Sequence, residues 1–239
     1  MKHRTIFPLL LCCLSLCQAN AQIITYHQAV YWTRYYLRWE LNPKLAIHFE
    51  ADNRQFFAPS HAQHQFISHV HVHKKLGRGW EGIVGATLSL AGSQRPEAPT
   101  PFTTPEWRSW QAVSFQHPVG FGHLGHRLRW EERFIRRSSS AGLESGYRFS
   151  FRLRYACTLQ IPLHSRIQLK IGEEVMLHHG EAIRQAFDQN RIWVGPDFSF
   201  PSKRWNVEVL YLWLRQLNIS GNTYFDRDVV RVTVGHKVS

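Results

Sequence analysis

The sequence predicts an all-β fold, namely a transmembrane antiparallel up-and-down β-barrel, and three observations support this prediction. Apolar and polar residues alternate over segments of about ten residues or more, which is the period of a strand with two different faces. Aromatic residues recur along the apolar faces, as expected at membrane interfaces. Short and long links alternate between the segments, which is typical of outer-membrane barrels. A soluble sandwich also alternates, but its strands are usually about 5 to 6 residues long.

The chain begins with the features of a secretory signal peptide over residues 1–21. Lys2 and Arg4 supply a basic start, an apolar run extends from Ile6 to Leu16, and Ala19-Asn20-Ala21 is a small-x-small cleavage site. The apolar run covers only about half of the roughly 20 residues that a membrane-spanning helix needs. We therefore expect export, cleavage near Ala21, and a barrel domain over residues 22–239 in a bacterial outer membrane.

Cysteine usage excludes an intrachain disulfide in the mature chain. Cys12, Cys13 and Cys17 lie in the predicted signal peptide, so only Cys157 remains. Cys17 raises the alternative of a lipid anchor, but Leu16 stands before it where a small residue would be expected. Stability must therefore come from strand pairing and side-chain packing.

The segment 147–161 is the clearest predicted strand. Tyr147, Phe149 and Phe151 begin an apolar face, and Arg148 and Arg152 lie on the opposite, polar face. The segment is longer than the about 9 to 11 residues with which a tilted strand crosses a bilayer. Further segments show the same alternation: 30–41, 45–54, 64–75, 80–90, 107–117, 124–134, 166–178, 191–200, 205–215 and 228–238.

The links between these segments alternate in length without interruption. The short links are 42–44, 77–79, 118–122, 162–165 and 201–204, and the long links are 58–63, 91–106, 138–146, 179–186 and 217–225. With short turns in the periplasm, the segment 30–41 runs inward from the cell exterior, so an outward strand must precede it. Ile23 to Gln28 is the candidate, which gives about twelve strands, with about ten as the alternative.

One residue breaks the pattern of the segment 166–178. Glu173 falls on the apolar face that Ile171 and Val175 define. Either a bulge shifts the register at this point or Glu173 lies beyond the lipid.

The chain is strongly basic, with 29 Lys and Arg against 17 Asp and Glu and a formal net charge of +12. Such a balance indicates nucleic acid, anionic lipid or an anionic small molecule as a partner. Export argues against nucleic acid. The expected partners are therefore outer-membrane lipid, the barrel insertion machinery and an anionic ligand.

Basic side chains outnumber acidic ones on the polar faces, which point into the lumen if the apolar faces meet lipid. We single out a ladder of inward arginines on two neighbouring strands: Arg127, Arg129, Arg133, Arg148, Arg152 and Arg154. Clustered guanidinium groups bind phosphate or carboxylate, so the lumen would pass or hold anions. The alternative is that these arginines pair with glutamates of adjacent strands and fill a narrow barrel.

Three histidines share one face of the segment 64–75. His69, His71 and His73 are separated by about 6.5 to 7 Å along a strand, so neighbours in the row can share zinc or copper if an adjacent strand adds ligands. Because the chain has 15 histidines, composition alone could also produce such a row. No cofactor is otherwise expected.

No catalytic motif occurs in the sequence. It contains no nucleophile elbow, P-loop, dinucleotide-binding string or zinc-protease string, and we assign no catalytic residue. Ser138, Ser139 and Ser140, near the expected outer rim, keep a lipid-modifying enzyme open as an alternative. The leading hypothesis is a non-catalytic barrel, either an anion-preferring pore or a binding barrel. A third hypothesis is a closed structural barrel that partners another envelope complex.

Three stretches resemble one known family. They are His126–Phe134 (HRLRWEERF), Tyr147–Tyr155 (YRFSFRLRY) and Phe187–Gly195 (FDQNRIWVG). They are similar to the uncharacterised family called domain of unknown function 2490 (DUF2490), whose members come mostly from Bacteroidota and are predicted outer-membrane barrels. The resemblance covers nearly all of the mature chain. It implies a barrel in an outer membrane and no particular activity.

Overall fold

The computed structural model describes residues 23–57 and 62–239, so the predicted signal peptide and its three cysteines lie outside the described residues. Within these ranges the structure is an all-β closed barrel, which confirms the predicted fold class. Among the described residues, no helix has the length and apolar character needed to cross a membrane. The described strands are β1 (Ile24–Asn42), β2 (Leu45–Phe56), β3 (Gln63–Gly77), β4 (Trp80–Ala91), β5 (Thr104–Val119), β6 (Gly122–Ser139), β7 (Gly142–His164), β8 (Ile167–His179), β9 (Phe187–Ser199), β10 (Trp205–Leu217) and β11 (Thr223–Val238).

The barrel closes through a parallel pair. Consecutive strands are antiparallel neighbours, but β1 pairs with β11 in parallel, from Ile24 opposite Thr223 to Trp39 opposite Val238. The described residues thus form eleven strands, close to the predicted twelve. The difference arises at Ile23 to Gln28, which is not a strand of its own, because Ile24 to Gln28 are the first residues of β1. No glycine, proline or other turn residue separates Gln28 from Val30, so the chain has no means of reversing there.

The links lie at two ends of the barrel. At the turn end lie the links after β1, β3, β5, β7 and β9, and at the loop end lie those after β2, β4, β6, β8 and β10. One predicted long link is wrong: 138–146 contains a two-residue turn, because Ser139 pairs with Gly142 and Ser138 with Leu143. Beside Gly146 a bulge shifts the register between β6 and β7. Gly146 has a φ of +80°, which glycine adopts readily, and the regular pairing of the two strands resumes on the other side of the bulge.

The two faces of the wall have the predicted chemistry. Outward side chains are largely apolar, and large hydrophobic residues such as Phe149, Leu153 and Val194 are more than two-fifths exposed. Inward side chains are buried and carry most of the charge. An apolar cluster fills the lumen beside β1, β2, β10 and β11: Val30, Trp32, Phe56, Leu210, Leu212, Leu214 and Val229. Ion pairs fill much of the remainder.

Glu173 lies on the outer face in a regular stretch of β8. It is paired in register with Cys157 on β7 and Ile192 on β9, so the bulge considered at this position is absent. The irregularity lies further along the same pair of strands, where Met176 faces Gln189 but Leu177 faces Phe187. The extra residue is Asp188, and the bulge turns both Asp188 and Gln189 into the interior.

Candidate functional site

A cluster of ion pairs around Glu131 forms the centre of the charged lumen. Glu131 is 0 % exposed, and Arg152 donates to its Oε2 from Nε at 2.7 Å while Arg154 donates to Oε1 from Nη1 at 2.9 Å. Arg129 Nη2 lies 2.6 Å from the same Oε1, within ion-pair distance but without hydrogen-bond geometry. The register places these side chains together, because Glu131 is opposite Arg152 and Arg129 is opposite Arg154.

Two further carboxylates pair with the remainder of this wall. Glu174 on β8 accepts from Arg154 Nη2 at 2.8 Å through both oxygens and from Arg127 at 2.9 Å. Glu106 on β5 accepts from Arg108 at 2.8 Å and from Arg133 at 2.5 Å. Five of the six arginines in the predicted ladder therefore have an acidic partner, as the filled-barrel alternative expects.

Arg148 differs from the other members of the ladder. Within the described part of the chain, no carboxylate lies within 4.0 Å of its guanidinium group. It lines an internal cavity of about 1000 Å³, which is bordered by Gln116 and Gln160 towards the turn end and by Arg184 and Ser220 at the loop end. The lumen thus keeps free volume between its ion pairs.

Arg227 on β11 is the most deeply buried arginine along this cavity, with 1 % of its surface exposed. Its Nε, Nη1 and Nη2 donate to the side-chain oxygens of Gln28, Gln216 and Gln94 at 2.8, 2.7 and 2.9 Å. All three acceptors are neutral amides, and no carboxylate of the described residues lies within ion-pair distance. Because a guanidinium group has five N–H donors, two remain for another acceptor.

A second group of ion pairs lies on the other side of the lumen. Arg34 donates to Asp52 at 3.0 Å and lies 3.5 Å from Glu50, and Arg54 donates to Asp52 at 2.8 Å. The Arg54 guanidinium also stacks on Trp32, with 4.0 Å from Cζ to the ring centroid. Nearer the turn end, Lys170 contacts Asp197 and Glu208 at 2.7 and 2.9 Å. These arginine and lysine charges are locally balanced.

The structure separates the three histidines proposed as metal ligands. His71 and His73 lie together, with 2.7 Å between His71 Nδ1 and His73 Nε2. His69 is engaged elsewhere, since its Nδ1 is 2.6 Å from Thr87 Oγ1. His48, which is opposite His71 in the β2–β3 register, takes the third place in the cluster.

The serines considered for a lipid-modifying enzyme lie at the exposed tip of the β6–β7 hairpin. Ser138, Ser139 and Ser140 are exposed, and no histidine of the described residues bonds to them. Ser165 does contact a histidine, at 3.3 Å from Nδ1 of His164, but both side chains are exposed in a turn. Among the described residues, none of the three serines therefore has a histidine in hydrogen-bond contact that could act as its base.

The sequence interpretation missed four charged groups of the lumen: Glu106, Arg108, Asp188 and Arg227. Glu106, Asp188 and Arg227 fell just outside the predicted strands, which began too late. The signal was present for three of the four, because Glu106, Arg108 and Trp110 alternate with outward residues, as do Phe225, Arg227 and Val229. Asp188 enters the lumen through the β9 bulge, which alternation does not reveal.

No curated protein matches the sequence. Among solved structures, the chain is similar to outer-membrane expressed OmpT of Vibrio cholerae, with 12 % identity and a TM-score of 0.39 over 75 % of this chain and 58 % of that one. The trimer form of in-vitro folded OmpT from the same organism gives 13 % identity and a TM-score of 0.40, with coverages of 75 % and 58 %. This chain thus spans less than two thirds of the length of those proteins.

The profile of one protein family matches residues 29–225, from near the beginning of β1 to the beginning of β11. The match includes all three stretches on which the resemblance rested and most of the charged lumen. The chain therefore belongs to the family described as "Protein of unknown function (DUF2490)".

Proposed function

We propose that this protein is an outer-membrane barrel that binds a small oxyanion, carrying phosphate or carboxylate groups, in its arginine-lined lumen. The proposal has two parts, which rest on different surfaces. The outer belt of apolar residues supports the location, and the unneutralised arginines of the cavity support the ligand.

The outer belt has the composition of a surface that meets lipid. Phe151, Leu153 and Tyr155 follow one another along β7, each more than two-fifths exposed, and the other strands continue this belt around the barrel. Soluble monomers rarely expose a continuous apolar surface larger than a few hundred Å². Aromatic pairs lie near both ends, as interfacial girdles would: Trp80 with Phe115 at the turn end, and Phe134 with Phe149 towards the loop end.

Arg227 carries the second part of the proposal. A buried charge without a counter-ion is costly, and proteins normally pair it or leave it able to meet a charged ligand. Arg227 is held by three amides that fix its orientation without neutralising it, and it borders the cavity. Arg148 and Arg184 add positive charge to the same cavity without a carboxylate partner among the described residues. An oxyanion in the cavity would supply the missing charge and accept the remaining donors.

The paired arginines define the limits of the proposal. Glu106, Glu131 and Glu174 form ion pairs with most of the ladder arginines. Those arginines therefore stabilise the barrel wall and do not offer a continuous path for anions. We therefore favour a binding barrel over a wide pore. Gln94 extends from the β4–β5 link to Arg227 and closes part of the loop end.

Labelling of Cys157 tests the membrane location. Cys157 lies on the outer face of β7 near its middle and is the only cysteine among the described residues. In proteoliposomes of the purified protein, a membrane-impermeant maleimide should leave Cys157 unmodified until detergent and denaturant are added. A variant with Ser140→Cys in the hairpin tip is the control and should react at once. Rapid labelling of Cys157 in the intact proteoliposomes would contradict the location.

Calorimetric titration with inorganic phosphate and with a small dicarboxylate tests the ligand. Wild-type protein in detergent should bind at least one of them, and Arg227→Gln and Arg148→Gln should each weaken binding at least about tenfold, since a charge-assisted hydrogen bond contributes about 1.5 to 3 kcal/mol. The matched control is Arg215→Gln, which removes an arginine that pairs with Asp226 on the outer face. Absence of binding by the wild type, or equal losses in all three variants, would refute the proposal.

A further inference from the structure

The lumen contains a second cluster, near the turn end, whose chemistry differs from that of the arginine-lined cavity. His48 on β2 and His71 and His73 on β3 place one ring nitrogen each within 4.8 Å of one another, and all three side chains are buried or nearly so. The rings of His48 and His73 stack with their centroids 3.8 Å apart. Three imidazoles therefore converge on one small volume.

The outer nitrogens of these rings are all engaged. His71 Nε2 lies 2.9 Å from Glu50 Oε1, and His73 Nδ1 lies 2.8 Å from Glu81 Oε2. His48 Nδ1 bonds with the hydroxyl of Tyr36. Ionised carboxylates only accept hydrogen bonds, so His71 Nε2 and His73 Nδ1 carry hydrogens. Each ring is thus fixed in orientation by a partner outside the cluster.

The inner nitrogens then present lone pairs to one another. In neutral rings, hydrogens on His71 Nε2 and His73 Nδ1 leave His71 Nδ1 and His73 Nε2 without hydrogens, and these two atoms are 2.7 Å apart. His48 Nε2 is buried and has no hydrogen-bond partner among the described residues. Two facing lone pairs and one buried unpaired nitrogen are unfavourable unless a proton or a cation lies between them.

We propose that His48, His71 and His73 bind a divalent transition metal ion, of the zinc or copper class. Three nitrogen ligands at about 2.0 to 2.1 Å from a tetrahedral zinc ion lie roughly 3.4 Å apart, so small side-chain shifts bring the three nitrogens into place. Imidazole suits zinc and copper, and Glu50, Glu81 and Tyr36 occupy the positions from which outer partners orient ligating histidines. Three protein ligands leave a fourth position for water or a small anion.

The proposed triad differs from the row His69, His71 and His73 that the spacing indicated. His69 shares the strand and inward face of the other two, but its Nδ1 bonds with Thr87. His48 enters the triad because the β2–β3 register sets it opposite His71. His69 therefore provides a matched control within the same strand.

Metal binding by the purified, chelator-stripped full chain in detergent tests the site, with Co²⁺ as an absorbing probe and Zn²⁺ as its competitor. We expect one Co²⁺ per chain, displaced by Zn²⁺. His48→Gln and His71→Gln should each lower the affinity at least tenfold, whereas His69→Gln should leave it unchanged. Glu81→Gln, which spares all three ligands, should weaken binding about 10- to 100-fold.

Folding is checked separately through the heat-dependent gel mobility of the barrel, and the Glu81 variant keeps the test decisive if a histidine variant does not fold. The proposal is overturned if the wild type takes up no stoichiometric metal. It is also overturned if His48→Gln binds as the wild type does, or if His69→Gln loses binding to the same extent. The oxyanion assay uses variants of Arg227 and Arg148, which are not part of the histidine cluster. Failure of the metal proposal therefore leaves the oxyanion proposal standing, and the reverse also holds.

Discussion

Arg152 donates from both Nε and Nη2 to a single oxygen of Glu131, at 2.7 and 2.5 Å, on the wall between β6 and β7. The same carboxylate is the only acidic partner of Arg129 in the described structure. Glu131→Gln would remove the negative charge and leave Arg129 buried without compensation. Loss of one partner of a buried ion pair typically costs about 3 to 5 kcal/mol. We expect a loss of that size in the free energy of unfolding, measured by denaturant titration in lipid vesicles.

Glu132 offers a control one residue away. It points outward from β6 and accepts a hydrogen bond from Ser109 Oγ at 2.9 Å. Glu132→Gln keeps that acceptor and disturbs no arginine, so we expect no loss in the free energy of unfolding. Equal effects at positions 131 and 132 would show that the ion-pair wall contributes little to stability.

Gly85 permits a close approach of Trp110 inside the barrel. A Cβ at this position would lie 2.5 Å from Trp110 Cζ2 and 2.7 Å from His71 Cβ. Gly85→Ala should displace the indole, which donates to Thr87 at 3.0 Å and lies under Arg129 at 3.7 Å. Overpacking of this kind costs about 1 to 3 kcal/mol. Denaturant titration should show this loss, together with a shift in tryptophan fluorescence.

Gly125 is the matched control for this substitution. It also faces the lumen, but a Cβ there would meet only Thr158 O, at 3.7 Å, which is ordinary contact. Gly125→Ala should therefore leave stability nearly unchanged. A loss as large as that of Gly85→Ala would mean that the effect belongs to glycine replacement in general and not to the Trp110 contact.

The alternation of apolar and polar residues predicted the orientation of most side chains in the barrel wall, because a period of two assigns each residue to one face of its strand. It placed Arg129, Glu131 and Arg152 inside and Phe151 and Leu153 outside, and the structure agrees. Alternation along the segment 45–54 also assigns His48 to the polar, inward face, but it does not show that His48 lies beside His71. That proximity depends on the register between β2 and β3, which is set by the whole hairpin and by its turn.

The closure of the barrel was beyond the reach of local patterning. The expectation of an even number of strands led us to predict a separate strand at Ile23 to Gln28. In the structure β1 is instead one continuous strand that pairs in parallel with β11. Pairing between the first and last strands is a contact across almost the whole chain, so no local signal encodes it. The inward orientation of Asp188 was not predictable for a similar reason, since a bulge depends on the pairing with the neighbouring strand.

Glu173 tests whether a carboxylate on the outer face carries a cost. It lies midway along β8 and accepts a hydrogen bond from Asn190 Nδ2 at 3.0 Å. If this face meets lipid, Glu173→Leu should leave stability unchanged or raise it, because an acidic group in apolar surroundings is unfavourable. Denaturant titration in vesicles checks this prediction. A loss above about 1 kcal/mol would indicate that the Asn190 bond matters more than the lipid contact.

The depth dependence of arginine substitutions on β7 provides the final prediction. Leu153 is the central residue of β7 and points outward, whereas Tyr147 points outward nearer the loop end. An arginine on the lipid face costs about 2 to 4 kcal/mol at the bilayer midplane and about 0 to 1 kcal/mol near the interfaces. Leu153→Arg should therefore destabilise the vesicle-embedded barrel by about 2 to 4 kcal/mol, and Tyr147→Arg by about 1 kcal/mol or less. Because both variants add the same charge to the same strand, equal effects would contradict a lipid belt centred on Leu153.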